Sequence, residues 1–179
     1  AVDLHCHSGP SVMPRDLDHI EAMEEAARAG MKAILIKDHY YSATPITAML
    51  NPRFAHLNVV AYSGVPLNNS IGGFNKYAVD HGIKLGARIV WMPTFTSANH
   101  LAHHKHQEHF NPKSTVIKHA PIPPDPLTVL DAQGKIKDEV KVILDLIAQN
   151  DLVLSGGHLH ISEIFKVFEE AKARGVKRL

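Results

Sequence analysis

Glu24-Glu25-Ala26-Ala27-Arg28-Ala29-Gly30-Met31-Lys32-Ala33-Ile34 returns near the end of the chain as Glu169-Glu170-Ala171-Lys172-Ala173-Arg174-Gly175-Val176-Lys177-Arg178-Leu179. Both copies carry one rhythm: the last turns of a helix, a glycine that ends it at the C′ position, then the start of a strand. In the first copy the strand runs on as Leu35-Ile36-Lys37-Asp38-His39, and in the second the chain stops at Leu179. A strand cut at its start leaves an open sheet edge, so the sequence reads as part of a longer series of strands and helices.

Working outward from the first copy, residues 32–37 are nearly all apolar, as in a strand buried on both faces of a parallel sheet. Residues 2–7 form a strand ahead of it. Asp16 is placed to cap the helix between them, whose Leu17, Ile20, Met23 and Ala27 recur at helical spacing. A short helix is expected after Pro45, a third strand at 58–63, a helix over 74–81 opened by Gly72-Gly73, and a fourth strand at 87–92. From 93 to 126 the pattern breaks into a stretch rich in His, Pro, Asn and Lys, the composition of a substrate lid or irregular functional loop. Residues 127–136 suggest a small hairpin turning at Gly134. A helix then carries Val140, Ile143, Leu144 and Ile147 on one face, followed by a strand at 152–154 and a last helix that Ser162 could cap. Five strands and the start of a sixth, alternating with helices, predict an α/β fold. The expected form is a single incomplete TIM-type (β/α) barrel over residues 1–179, because a full barrel takes about 250 residues. An open doubly wound sheet uses the same alternation.

Composition bounds the function. Among 179 residues, 19 Lys+Arg against 18 Asp+Glu leave a net charge of +1, which gives nucleic acid or anionic membrane no hold. One cysteine excludes a disulfide framework and fits a cytoplasmic location. No apolar run approaches the roughly 20 residues of a membrane span. The unusual ingredient is histidine, at 14 residues.

Two of these, His5 and His7, flank Cys6 at the end of the first strand, where alternation sends both imidazoles to one side. In a barrel that side is the interior at the rim where active sites form, so the pair can share a divalent metal. Asp3 has the same parity and could support them from behind. Cys6 faces the helices as a small hydrophobe.

Asp3-Leu4-His5-Cys6-His7-Ser8 resembles the first-strand signature of the amidohydrolase superfamily and of the related polymerase-and-histidinol-phosphatase barrels. With Ile36-Lys37-Asp38-His39-Tyr40, Trp91-Met92-Pro93-Thr94 and Gly156-Gly157-His158, the chain looks like a domain-of-unknown-function family within that superfamily. The resemblance implies His5, His7 and His158 as metal ligands, with His160 as the alternative to His158. It implies a divalent cofactor, zinc with manganese or iron as other candidates, one or two ions per site. Asp38 and His39 are implied as catalytic groups, His39 also as a ligand. Met13 and Pro66 stand where the phosphatase pattern has a His and a Glu, which argues for one or two metals rather than three. Arg88 to Thr94 offers no lysine for a carboxylated bridge, and Lys37 reads as a structural cation at the rim. His100, His103, His104, His106 and His109 read as part of the lid. Arg15 could clamp an anionic group of a substrate.

The expected function is hydrolysis of an amide, lactam, lactone or ester bond of a small molecule by metal-activated water. Phosphoester hydrolysis is a second reading, and a metal-binding scaffold without catalysis a third. The expected partner is the small-molecule substrate, and self-association into a homo-oligomer is compatible with the barrel class.

Overall fold

Both copies of the repeat lead into parallel sheet in the computed structural model, which describes residues 1–104 and 122–179. β1 (Val2–Cys6) pairs in parallel with β2 (Ala33–Ile36), and β2 with β3 (Val60–Tyr62). β4 (Gly64–Pro66), β5 (Ile89–Trp91) and β6 (Val153–Ser155) form a second parallel set. Beyond β6, Val153 bridges Arg178 in parallel and Leu154 N donates to the Arg178 carbonyl. The second copy thus joins the sheet beside β6 as the first joins beside β1.

The third strand expected at 58–63 is present as β3, and a further strand not expected from the sequence, β4, follows it directly. The extended chain changes sheets at Ser63, whose Oγ donates to the Ile36 carbonyl (2.8 Å) and whose own carbonyl accepts from Arg88 N (2.9 Å). Gly64 makes the crossing feasible: a Cβ there would run into the Ile89 carbonyl, so only glycine lets β4 lie this close to β5. The expected incomplete barrel is met only in its parallel α/β order, and no closed barrel forms among the described residues. Among the described residues the strands form two three-stranded parallel sheets, β1-β2-β3 and β4-β5-β6. The architecture is mixed α/β with parallel pairing throughout these strands.

The helices are α1 (His19–Arg28), α2 (Thr44–Arg53), α3 (Lys76–Lys84), α4 (Ala98–His103), α5 (Asp138–Gln149) and α6 (Ile161–Ala173). α1 is capped by Asp18, not Asp16. The Asp18 carboxylate accepts from Ile20 N and Glu21 N, and Glu21 returns a bond to Asp18 N, a complete capping box. Gly9 decides between the two aspartates, because it accepts from His19 N and donates to the Leu17 carbonyl, holding 17–19 just outside the helix. α6 begins ahead of Ser162, with His160 at the N-cap, and α3 begins after Asn75, whose side chain accepts from Tyr77 N and Ala78 N. α5 buries Val140, Ile143, Leu144 and Ile147 completely, as its period requires. A bridge between Leu130 and Ile136 closes the expected hairpin. α4 is a helix inside the stretch read as irregular. Residues 105–121 of that stretch, with His106, His109 and Pro121, lie outside the described residues. No helix among the described residues is long and apolar enough to cross a membrane.

β2, β4 and β5 are buried on both faces, while β1 leaves Val2 and Leu4 exposed. Ile34, Ile36 and Ala61 pack outward against Met23 of α1 and Leu50 of α2, while Val65, Val90 and Leu154 pack against α3, α5 and α6. The opposite face carries Leu35, Ile89 and Trp91, flanked by Tyr62 and Val153. Continuing along β2 with the same parity come Lys37 and His39. Cys6 packs on the outer cluster, which leaves His5 and His7 to the inner side.

Candidate metal centre

At the C-terminal ends of the strands five imidazoles form a chain of contacts. His5 Nε2 and His7 Nε2 are 3.1 Å apart. His7 stacks on His39 (ring centroids 5.0 Å), His39 lies 5.8 Å from His158, and His158 lies 5.0 Å from His100 with the two Nδ1 atoms 3.1 Å apart. Two imidazole nitrogens bound tetrahedrally to one zinc at about 2.0–2.1 Å stand about 3.3 Å apart. The His5–His7 pair therefore already has the spacing of two ligands on one cation. His158 is brought to the same end of the sheets, beside His39, with its Nδ1 toward His100. Among the described residues no group of three His, Cys, Asp or Glu side chains stands as a complete ligand set, so the close contacts are pairs.

Local sequence explains each placement. Gly157 (φ 60°) precedes His158, and a Cβ there would collide with the Met92 carbonyl, so glycine alone lets the turn lie against the end of β5. His158 N then donates to the Pro93 carbonyl (2.9 Å), and Ser97 Oγ and Asn99 Nδ2 donate to the His158 carbonyl. His39 Nδ1 is bonded to Thr94 Oγ1 (2.9 Å), leaving Nε2 for a ligand. Behind it sits Asn68, 1% exposed, whose Nδ2 donates to the His39 carbonyl and to Thr94 Oγ1, and whose Oδ1 accepts from Thr94 N, Thr96 N and Thr96 Oγ1. Sequence reasoning took Thr94 only as part of a motif and passed over Asn68 and Phe95, which stacks on His39 at 3.8 Å. An amide ending the run Gly64-Val65-Pro66-Leu67 was the available signal.

Asp38 is buried but has the opposite parity to Lys37 and His39. Its Oδ1 accepts from Tyr40 N (2.7 Å), and its Oδ2, without a hydrogen-bond partner, lies 3.9 Å from the Arg15 guanidinium. Arg15 also approaches His7 Nδ1 at 3.4 Å, so Asp38 reaches the imidazoles through Arg15. Lys37 is corrected from a rim cation to a buried one, its ammonium over the Trp91 ring at 5.4 Å. His160 turns its Nδ1 to Ser162 as the cap of α6.

Electrostatics prepares the same residues. Burial chiefly pulls His7, His158 and His100 down to about 4 and His39 to about 2; nearby charges, Lys37 and Arg15 at His7 and His39 among them, pull the same way. Burial also lowers Lys37 to about 8. The rings are therefore neutral at neutral pH, the form in which imidazole binds metal. This donor set fits a divalent cation of intermediate softness.

The fold has a solved relative. The probable dipeptidase PvdM from Pseudomonas aeruginosa superposes with a TM-score of 0.52 at 12% identity, covering 97% of this chain and 49% of that one. The chain thus spans about half the length of the dipeptidase. The histidinol phosphate phosphatase of Lactococcus lactis subsp. lactis Il1403, solved with zinc, L-histidinol and phosphate, gives a TM-score of 0.32 at 14% identity over 99% of this chain and 95% of that one. No curated protein matches the sequence. A family model does match, over residues 1–179, and the chain belongs to the family of unknown function DUF6282.

Proposed function

We propose that the protein is a metal-dependent hydrolase of a small molecule, with His5 and His7 holding a divalent cation, zinc in the first instance, and His158 and His39 beside them. The observation that carries this reading is the 3.1 Å spacing of two neutral-ring nitrogens at the C-terminal end of a parallel strand. A divalent cation held by His5 and His7 would supply an activated water and a Lewis acid for a carbonyl oxygen. His39, at about 2, is too weak a base to take a proton near neutrality, so it serves as a ligand or packing wall rather than as the base. Asp38 is the proton acceptor of this reading: its Oδ2 has no hydrogen bond and faces the Arg15 guanidinium, which links the carboxylate to His7. Asn68 and Thr94 fix the His39 ring. The bonds addressed are amide, lactam, lactone or ester.

The same reading extends to the fold as a TIM-type barrel. A doubly wound sheet reverses its strand order at a switch point. Here the order runs with the sequence through the Ser63 crossing, with an apolar inner face and helices outside.

The test is hydrolysis by the chelator-treated protein of a panel of lactones, lactams, peptides, carboxylic esters and an aryl phosphate, before and after zinc, manganese or iron(II) is restored. Metal-restored cleavage of a carbonyl substrate is expected. Restored cleavage of the phosphate ester alone would reject the bond class, and no restored cleavage of any substrate would reject the hydrolase.

A further inference from the structure

Lys37 is 3% exposed, and among the described residues its Nζ has neither a hydrogen bond nor an ion pair. It sits on the inner face with Leu35 and Trp91 below it and His39 above it. Two residues on along β2, with the same parity, His39 stacks on His7 and lies 5.8 Å from His158, so Lys37 stands at the approach to the candidate centre. An ammonium on so covered a side chain keeps little of its water, and an anion paired with it would make up for what is lost.

The carboxylates at this end are engaged elsewhere. Asp38, next in sequence, points to the other side toward Arg15 and Tyr40 N, and Asp3 accepts from His5 N at 2.8 Å. The rings supply neutral donors and no negative charge. Among the described residues no negative group stands against the Lys37 ammonium.

We propose that Lys37 is the anion-binding residue of this centre and that the substrate is an anionic small molecule, carrying a carboxylate or phosphate group next to the bond that is cleaved. The assignment of substrate class rests on the hydrolase reading, whereas the anion site itself does not need a metal. In the bound state the anion supplies the counterion that Lys37 lacks among the described residues. Lysine suits this role as a point charge that accepts either oxyanion.

The experiment uses the intact protein freed of metal, titrated calorimetrically with inorganic phosphate and, separately, with acetate. Saturable binding of at least one of them is expected, the tighter identifying the anion. Lys37→Met, which keeps the apolar stem, should weaken it at least tenfold, and Lys37→Arg should restore most of it. In the wild type the same anion should slow labelling of Lys37 by an amine-reactive reagent several-fold, a measurement that stands if the Met variant does not fold. A parallel zinc titration of Lys37→Met should show affinity at least equal to wild type, because a repelling charge has gone. Unchanged anion binding in Lys37→Met, no anion binding by the wild type, or no protection from labelling would overturn the proposal. Absence of zinc binding with the anion results intact would instead reject the metal reading and leave the anion site standing.

Discussion

At His7 burial outweighs every other influence, and with Arg15 and His5 adding to it the imidazole falls to about 4; His100 and His158 reach about 4 for the same first reason. In the unfolded chain these rings return to about 6.5. Between the two values the unfolded state holds more protons, so stability is fully present above pH about 6.5 and is lost as pH falls toward 4. The melting temperature of the metal-free protein should therefore drop across that window, and a flat profile by scanning calorimetry would show that the rings are not desolvated. Asn68 carries a different load. Its amide serves the His39 carbonyl, Thr94 and Thr96 from a buried position, so Asn68→Ala should cost about 2–3 kcal/mol by leaving buried partners unpaired. Urea denaturation checks this, and a loss under about 0.5 kcal/mol would refute the hub role. None of this was legible in sequence beyond the amide itself, because the partners come from β2, from the end of β5 and from the turn after it. Lys37 was misjudged for a related reason: parity along β2 puts it inward, but only the packed Trp91 shows that it is covered.

Elements were legible where a local period decides them. The stripe of α5 fell on its four fully buried residues, and the glycine-to-strand repeat placed β2 and the Arg178 bridge. Caps were harder, since Asp16 and Asp18 are chemically equal candidates and a distant glycine chooses between them. β4 was missed because Gly64 and Pro66 weaken strand propensity, while the reason for Gly64 is an interstrand approach that sequence does not display. That approach makes a prediction. Gly64→Ala places a methyl group against the Ile89 backbone between β4 and β5, so it should destabilise by roughly 2–4 kcal/mol or abolish folding. Wild-type thermal stability of the purified variant would contradict the register.

Taken as a whole, the molecule sets two parallel sheets so that an apolar floor lies beneath a histidine chain drawn from β1, β2, α4 and the turn after β6. His5 and His7 were visible from alternation on one strand. The contribution of His100 was not, because its helix lies in a stretch without a readable period, and His158 meets it only in three dimensions. The most direct measurement is the metal content and zinc affinity of the intact protein beside the His5→Ala/His7→Ala double variant. The account predicts stoichiometric metal in the wild type and at least a hundredfold weaker zinc binding in the variant. Stoichiometric metal held with unchanged affinity by the double variant would contradict it.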